Sequence, residues 1–300
     1  MTQAKKSKKI VKFFGLPKNM YQAIRFLARQ YESNLKFETK IEDIRSILIN
    51  LYESGYLPTK LLQEYRWGTN SFFSQGNEDS VLLEIINRLG MNKGSFLEIG
   101  IGDGTENNTL ILKALGFSGT WVDVKSVGPQ IKDNGSFQFL NARVQKHTCT
   151  EILSSHIKKF GIQPNIFSLD IDGNDYHIVS SFLEAGLSSE VIVCEYNPKF
   201  PPPIQFIFPY DPNHTWQGGD FYGASLTSLN ELLVRHQYVL LACSLNGTNA
   251  FFVKEGIVNL FQDKQMGLSN FMPAQYIFPE RKGHKATLEL VGYLLDSTEM

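Results

Sequence analysis

The sequence lacks the features that mark membrane proteins, secreted proteins and strongly basic nucleic-acid binders. None of its apolar runs approaches the length of a membrane span, and its N-terminus has no apolar signal-peptide core. Lysine and arginine number 29 against 30 acids, and the net charge of -1 provides no general attraction to nucleic acid. We therefore expect a cytoplasmic protein without a nucleic-acid partner.

Cysteine is also scarce. The chain has three cysteines, Cys149, Cys194 and Cys243, which are far apart and form no C-x-x-C pair. We expect buried free thiols in a reducing compartment. With 42% hydrophobic and 20% charged residues over 300 positions, the composition is that of an ordinary globular protein with room for a core domain and additions.

One stretch of the sequence indicates a nucleotide-binding turn. Phe96–Ile99 is a short apolar run, interrupted by Glu98, that predicts a buried strand. Thr105 is suited to cap the helix that follows. Between them, three glycines stand at alternate positions: Gly100, Gly102 and Gly104. Strand, glycine turn and helix form the nucleotide-binding unit of an open α/β sheet, because glycine lets a ligand come close to the backbone.

A second acid lies where such a unit binds a ribose. Residues 119–122 predict the next strand, and Asp123 follows nineteen residues after Gly104. A dinucleotide fingerprint needs its third glycine one position later than Gly104, and an NAD(P)-dependent sugar oxidoreductase needs a Tyr-Lys or similar proton relay. The sequence contains neither, which argues against that class of enzyme.

The glycine turn resembles motif I of class I S-adenosylmethionine (SAM) methyltransferases. That motif is an apolar–acid–apolar strand followed by G-x-G-x-G, and each position from Phe96 to Gly104 matches it. SAM has no phosphates, so the resemblance implies a loop that passes close to its methionine and ribose, with a carboxylate able to face the cationic ligand. Together with Asp123, this favours SAM over NAD as the cofactor.

Two further strings resemble FkbM-type methyltransferases: Ser74-Gln75-x-x-Glu78-Asp79 and Asp170-x-Asp172-Gly173-x-Asp175. The resemblance covers roughly residues 71–254. The first lies near the SAM pocket in that family. The second matches D-x-E-G-x-E, except that aspartate replaces both glutamates here. The resemblance implies a set of cofactor-binding residues: Gln75, Glu98, Gly100, Gly102, Asp103, Gly104, Asn108, Asp123, Asn141 and Asp170.

Acids follow several predicted strands, at the edge of the sheet where ligands bind. They are Glu98, Asp123, Asp170, Asp172 and Glu195. Their mutual repulsion calls for a cation, which SAM or Mg²⁺ would supply. Metal-dependent sugar and catechol O-methyltransferases carry an acid after the fourth strand and an acid or amide pair after the fifth. That resemblance implies metal ligands at Asp170 or Asp172, Glu195 and Asn197. The alternative is that the two aspartates cap the next helix and that Glu195 pairs with a lysine.

A loop of about twenty-five residues follows Asn197 and is rich in proline and aromatic residues. Connections of this length are usually functional lids or binding loops, and aromatic faces suit a sugar or an aromatic acceptor. His214 in this loop is the first candidate for the general base, because a free imidazole titrates near neutral pH. Asp172 is the rival candidate.

These patterns predict a doubly wound α/β fold, with a mostly parallel Rossmann-like sheet that resembles class I methyltransferases. Tyr238–Ser244 and Ala250–Val253 flank Asn246-Gly247, which predicts an antiparallel hairpin as the last pair of strands. We divide the chain into a basic tail and helical accessory region (1–66), the methyltransferase core (67–256) and a C-terminal extension that packs on the core or on a partner (257–300).

The expected function is SAM-dependent O-methylation of a glycan or glycosylated metabolite. A catalytically silent SAM-fold scaffold, acting through the two ends of the chain, is the alternative, and an NAD(P)-dependent sugar oxidoreductase is a weaker one. The expected partners are a small-molecule or glycan acceptor and, as an option, a second copy of the chain. The lysine-rich N-terminus also allows weak association with a membrane surface.

Overall fold

The computed structural model describes residues 72–104, 107–126 and 133–273. The predicted accessory region 1–66, most of the predicted C-terminal extension and the predicted helix cap Thr105 lie outside these ranges. Strands and helices alternate along the described chain: α1 Glu78–Arg88, β1 Ser95–Ile99, α2 Leu110–Ala114, β2 Ser118–Asp123, β3 Phe137–Asn141, α3 Cys149–Phe160, β4 Ile166–Leu169, α4 Asp175–Glu184, β5 Val191–Glu195, α5 Leu226–Arg235, β6 Tyr238–Cys243 and β7 Asn249–Lys254.

The seven strands form one sheet in the order β3-β2-β1-β4-β5-β7-β6. Neighbours from β3 through β5 run parallel, whereas β7 lies antiparallel between β5 and β6. Chain order reverses between β1 and β4, which opens a crevice at the carboxyl ends of these two strands. The predicted fold class is therefore confirmed: a doubly wound, Rossmann-like, mostly parallel sheet with an antiparallel hairpin at one edge.

Helices cover both faces of the sheet. Apolar residues of α3, α4 and α5 pack on one face, and those of α1 and α2 pack on the other. Strands β1, β4 and β5 are buried at every position for this reason, since a parallel strand covered on both sides has no solvent-facing residues. All three cysteines are buried and free, as the sequence predicted.

Local signals located several elements correctly. Helix α3 ends at Gly161, whose φ of 76° is the left-handed conformation that glycine adopts without strain. The hairpin around Asn246-Gly247 also forms, with Gly247 at a φ of 76°. Strand β3 ends at Asn141.

The helix after the glycine turn begins later than the sequence predicted. It starts at Leu110, with Thr109 as its N-cap, and not directly after Thr105. The reason is Glu98 on β1, whose carboxylate accepts hydrogen bonds from the backbone N–H groups of Asn108 and Thr109, at 2.8 and 3.1 Å. These N–H groups at the start of the helix therefore obtain their acceptor from another strand.

The chain after β7 covers one edge of the sheet. The Gly267 N–H donates to the carbonyl of Leu240 on β6 at 2.8 Å, and the Asn270 side chain donates to the carbonyl of Leu241 at 2.8 Å. Phe261 in the same segment is fully buried. Within the described ranges, no helix combines the length and apolar character that crossing a bilayer requires.

Candidate functional site

A cavity of about 440 Å³ lies at the carboxyl ends of β1, β2 and β4, on the crevice created by the reversal of strand order. Its wall includes most of the predicted cofactor residues together with both candidate bases: Gln75, Glu98, Gly100, Gly102, Asp103, Asn108, Asp123, Asp170, Asp172 and His214. Gly104, Asn141, Glu195 and Asn197 are also described, but they are not among the lining residues. The structure thus brings most of the predicted site together in one place.

The glycines of the turn have different roles. At Gly100, with a φ of 87°, a Cβ atom would lie 1.6 Å from the carbonyl oxygen of Asp170, so glycine is required for the packing of β1 against the turn after β4. At Gly102, with a φ of 60°, a Cβ atom would meet no atom within 4 Å. This second glycine borders the cavity and leaves its backbone accessible to a ligand.

Glu98 holds the turn in place. Its buried carboxylate accepts hydrogen bonds from the Asn107 amide and from the Thr109 hydroxyl, in addition to the two backbone N–H groups at the start of α2. Burial raises the pKa of Glu98, and these hydrogen bonds oppose the rise. Both carboxylate oxygens therefore already have partners within the protein, a structural role that the sequence did not indicate. Contact between Glu98 and a cationic ligand stays a prediction.

Asp123 ends β2 beside the glycine turn. One carboxylate oxygen accepts the N–H of Gly102 at 2.8 Å, and the other accepts the N–H of Lys125 at 2.7 Å. These two bonds orient the carboxylate toward the cavity that Asp123 lines, and each oxygen retains a lone pair for a further donor. The predicted contact with ribose hydroxyls fits this geometry and stays a prediction.

Two other predicted cofactor residues are placed by local contacts. Gln75 reaches the cavity because the segment before α1 folds back on that helix: the Asp79 carboxylate accepts three consecutive backbone N–H groups, from residues 72 to 74. Asn141, in contrast, donates its amide to the carbonyls of Asp123 and Val124. The residues that line the cavity after β3 are its neighbours in the chain: Ala142, Arg143 and Val144.

Asp175 fixes the shape of the turn after β4. Its buried carboxylate accepts the N–H groups of Ile171 and Gly173, at 2.9 and 2.8 Å. Asp172 between them adopts a left-handed φ of 56°, which is uncommon for an aspartate. Burial raises the pKa of Asp175 to about 6. The side chain of the N-cap residue Asn174 makes no capping hydrogen bond to α4, and the bonds of Asp175 hold the turn that precedes the helix.

Three carboxylates meet at the ends of β4 and β5. Oxygens of Asp170, Asp172 and Glu195 lie within 4.8 Å of one another, and we call this group the acid cluster. Glu195 is only 7% exposed, and its Oε2 atom has no hydrogen-bond partner among the described residues. None of the ion pairs in the described ranges includes Glu195. The lysine partner considered from the sequence is therefore not found there.

Burial and repulsion together make the cluster electrostatically unfavourable. Burial raises the pKa values of Asp170 and Glu195 well above their ordinary range, and the negative charges of the neighbouring carboxylates raise them further. Burial also raises the pKa of Asp172, while the nearby His214 and Lys125 oppose that rise. A bound cation would relieve this repulsion.

The side chain of Asn197 is engaged in the long loop after β5 and does not belong to the acid cluster. Its amide nitrogen donates to the carbonyls of Asp220 and Tyr222, at 2.7 and 3.1 Å, and its amide oxygen accepts the N–H of Lys199. Lys199 and Asp220 also form a buried ion pair. Asn197 thus joins the two ends of the long loop after β5, and we do not retain it as a metal ligand.

The long loop has its own small core. Phe200 and Phe206 stack with ring centroids 4.0 Å apart, and Phe221 packs against both. Most of the aromatic residues that suggested an acceptor platform therefore stabilise the loop itself. Trp216 is the aromatic side chain of this loop that, together with His214, lines the cavity.

His214 is held against the turn after β4. Its Nε2 atom lies 3.0 Å from the carbonyl oxygen of Asp172, and because a carbonyl only accepts, Nε2 carries the proton and Nδ1 keeps the lone pair. The loop is anchored there by Asn174, whose side chain bonds both the carbonyl and the N–H of Asp211. Gly173 allows this approach, since a Cβ atom at that position would lie 2.2 Å from the imidazole ring.

Several lining residues were missed by the sequence analysis: Asn107, Lys125, Arg143, Asn174 and Asn249. Asn174 lies inside the Asp170–Asp175 string and Asn107 lies three positions after Gly104, so closeness to a motif was the available signal. Asn249 begins a strand far along the chain, and its local sequence carries no signal of a site.

Comparisons with known proteins give similarities of fold. No family model matches the chain, and no curated protein matches it. One similar solved structure is a methyltransferase from Podospora anserina with bound S-adenosylhomocysteine, at 13% identity, covering 80% of this chain and 97% of that chain with a TM-score of 0.37.

A second is the 1,6-didemethyltoxoflavin-N1-methyltransferase of Burkholderia thailandensis, with bound 1,6-didemethyltoxoflavin and S-adenosylhomocysteine. It is 11% identical, and the match covers 73% of this chain and 91% of that chain with a TM-score of 0.37. At these identities and TM-scores the matches say nothing about the chemistry of this chain, and statements about chemistry rest on the residues of the cavity.

Proposed function

We propose that this protein is a SAM-dependent O-methyltransferase that acts on a hydroxyl group of a glycan or glycosylated metabolite. The observation that carries the proposal is the composition of this cavity. The glycine turn and Asp123 line it together with Asp170, Asp172 and His214, and Glu195 adjoins the two aspartates in the acid cluster. At about 440 Å³, the cavity lies within the range typical of small-molecule sites.

The glycine side suits the methyl donor. Gly102 allows a ligand to pass close to the backbone, and the oriented carboxylate of Asp123 has free lone pairs for two adjacent ribose hydroxyls. SAM would supply an activated methyl group on a sulfonium. Gln75 and Asn108, also in the wall, are candidates for contacts with its amino-acid end.

The opposite side suits an acceptor hydroxyl. Methyl transfer requires the acceptor oxygen to be aligned with the methyl group, water to be excluded and a proton to be removed. Nδ1 of His214 is the candidate base, because the Asp172 carbonyl retains the proton on Nε2. The half-buried ring of Trp216 in the same wall offers a flat surface for a sugar. The FkbM-type strings also favour a sugar acceptor.

A divalent cation such as Mg²⁺ fits the acid cluster. Asp170, Asp172 and Glu195 offer hard oxygen ligands, and a cation would satisfy the Oε2 atom of Glu195, which finds no hydrogen-bond donor in the described part of the chain. A bound divalent cation would lower the pKa of a coordinated hydroxyl. Because Asp172 belongs to this ligand set, His214 is the better candidate for the general base.

Calorimetric titration with SAM, S-adenosylhomocysteine and NAD tests the donor site. We expect SAM and S-adenosylhomocysteine to bind, Gly102→Val to abolish binding and Asp123→Ala to weaken it. Gly161→Val is the matched control, because it introduces the same left-handed strain in open space at the end of α3. Binding of NAD without SAM would overturn the proposal.

Turnover of methyl-labelled SAM on glycan extracts tests the acceptor class. We expect label to enter a glycan fraction as an O-methyl group. SAM binding without any transfer to a hydroxyl would instead favour the silent scaffold.

A further inference from the structure

Asn249 lies beside the acid cluster although it is far from it in the sequence. It is the first residue of β7 and is paired directly with Glu195 across the antiparallel β5–β7 ladder. Side chains of directly opposed residues lie on the same face of a sheet, with Cβ atoms about 4.5–5.5 Å apart. Asn249 also lines the cavity together with Asp170. The amide and the carboxylates are therefore neighbours in space.

The amide oxygen of Asn249 is buried without a partner. The residue is 4% exposed, and its Oδ1 atom has no hydrogen-bond partner within the described ranges. Glu195 Oε2, on the facing strand, is also buried and has no hydrogen-bond partner among the described residues. Buried oxygens without donors are unfavourable, and both of these atoms are acceptors. The group that complements them must be a donor or a cation.

The neighbouring hydrogen bonds determine which way the amide points. The Thr248 hydroxyl has one hydrogen, and the nearest acceptor is the Asn246 amide oxygen at 2.9 Å, whereas a Glu78 carboxylate oxygen and the Ser244 hydroxyl are each 3.4 Å away. Thr248 therefore accepts from Asn249 Nδ2, at 3.3 Å. With the nitrogen bound to Thr248, the oxygen is the atom left without a protein partner.

We propose that Asn249 is a fourth protein ligand, through its amide oxygen, for a divalent cation held by Asp170, Asp172 and Glu195. This inference rests on the cation included in the proposed function. A neutral oxygen is suited to this position, because it adds coordination without adding a fourth negative charge to three carboxylates that already repel one another. Asn249 would thus take the amide-ligand position that the sequence suggested for Asn197, whose own amide is hydrogen-bonded within the long loop.

Titration with Mn²⁺ alone, followed by the electron paramagnetic resonance signal of the free ion, tests this ligand on the full chain without SAM. We expect Asn249→Ala to weaken Mn²⁺ binding by roughly 10- to 100-fold, the loss typical of removing a supporting group from a metal site. Asn249→Asp should retain or increase the affinity, because it keeps an oxygen at the same position. Thermal melting of each variant in chelator shows whether it folds.

The matched control is Asn165→Ala. The Asn165 amide bonds the N–H of Ser95 and the carboxylate of Glu190, at the start of β1 and β5, the opposite end of these strands from the cluster. Removing it should leave the Mn²⁺ affinity unchanged. A loss in this variant equal to that in Asn249→Ala would mean that general destabilisation, and not a lost ligand, explains both.

The remaining outcomes separate this inference from the proposed function. Equal Mn²⁺ affinity in the wild type and Asn249→Ala would overturn the inference. An Asn249→Asp variant that binds Mn²⁺ as weakly as Asn249→Ala would also overturn it, because the amide would then act as a hydrogen-bond donor to Glu195. Absence of Mn²⁺ binding in the wild type would also overturn it, and calorimetric SAM binding would then decide the methyltransferase proposal separately. Asn249-dependent Mn²⁺ binding without SAM binding would support the ligand and overturn the methyltransferase.

Discussion

Two buried glutamates at the ends of parallel strands show how differently the same residue type is used on the two sides of the cavity. Glu98 on β1 accepts hydrogen bonds from a side-chain amide, a hydroxyl and two backbone N–H groups. Glu195 on β5 has one oxygen that no hydrogen-bond donor of residues 72–104, 107–126 and 133–273 reaches, and it lies next to two other carboxylates. The first glutamate therefore stabilises the fold, whereas the second is destabilising without a ligand.

The difference lies in what surrounds each carboxylate, and not in its degree of burial. The chain after β1 turns back so that the start of α2 presents its N–H groups to Glu98. The chain after β5 leads into the long loop, and the neighbouring strands bring Asp170 and Asn249, both of which present oxygens. Buried acids surrounded by donors are structural, and buried acids surrounded by acceptors indicate a ligand site.

The largest expected effect tests the side of the cavity assigned to the acceptor. His214→Ala should lower kcat by about 10²–10⁴-fold, the usual contribution of a general base, without changing the affinity for SAM. Steady-state turnover of labelled SAM and calorimetry measure the two quantities. His214→Gln provides the control, since its amide can still donate to the Asp172 carbonyl but cannot accept a proton at neutral pH. Normal turnover in both variants would exclude His214 as the base.

The next effect tests the structural role of Glu98. Glu98→Ala should lower the free energy of unfolding by about 3 kcal/mol or more, because it leaves several buried donors unsatisfied at once. Urea denaturation followed by circular dichroism measures the change. Glu98→Gln is the companion variant, and it should cost less because its amide oxygen still accepts some of these bonds. A loss below 1 kcal/mol in Glu98→Ala would contradict this role.

A smaller effect of opposite sign is expected at Glu195. Without a divalent cation, Glu195→Gln should raise the free energy of unfolding by about 1 kcal/mol at neutral pH, because it removes the buried member of a group of three like charges. The same variant should bind Mn²⁺ more weakly than the wild type. Denaturation in chelator and in Mn²⁺ compares the two conditions. Destabilisation of the metal-free protein by Glu195→Gln would mean that the charged carboxylate has a partner within the fold.

The acid cluster also predicts a pH dependence. Folding raises the pKa values of Asp170 and Glu195 above their ordinary values of 3.8 and 4.5. Their contribution to stability is therefore present below those ordinary values and is lost as the pH rises through the higher folded pKa values. The metal-free wild type should lose stability over that interval, and Glu195→Gln should lose less. Melting temperatures across a pH series in chelator measure the difference.

The smallest effect is expected at Asn141. Asn141→Ala removes two side-chain hydrogen bonds to backbone carbonyls on an exposed residue, so the free energy of unfolding should fall by less than about 1 kcal/mol. The affinity for SAM should change less than twofold. A tenfold loss of SAM affinity would instead support the cofactor contact of Asn141 that the resemblance to FkbM-type enzymes implied.

Much of the fold could be predicted because its signals are local. The glycine turn, the end of α3 at Gly161 and the Asn246-Gly247 hairpin each depend on what a few consecutive residues allow the backbone to do. The start of α2 could not be predicted in this way. Its N–H groups are satisfied by Glu98, which lies on a different element, so no pattern within the helix itself indicates where it begins.

The candidate site was only partly predictable for the same reason. Asp170 and Asp172 lie two positions apart and can be recognised as part of a local motif. Asn249 comes close to Glu195 only because β7 pairs with β5. Asn197 shows the opposite case: its position after the fifth strand suggested a ligand, but the two ends of the long loop meet at its amide.

The sequence by itself determined the alternation of strands and helices, the glycine turn and the presence of acids at the ends of several strands. These depend on backbone preferences and hydrophobic periodicity, which act between near neighbours in the chain. Only the tertiary structure decided which of those acids are surrounded by hydrogen-bond donors and which lie next to other carboxylates. That outcome depends on pairing between distant strands, because a buried carboxylate is stabilised or destabilised by whatever atoms the fold brings into contact with it.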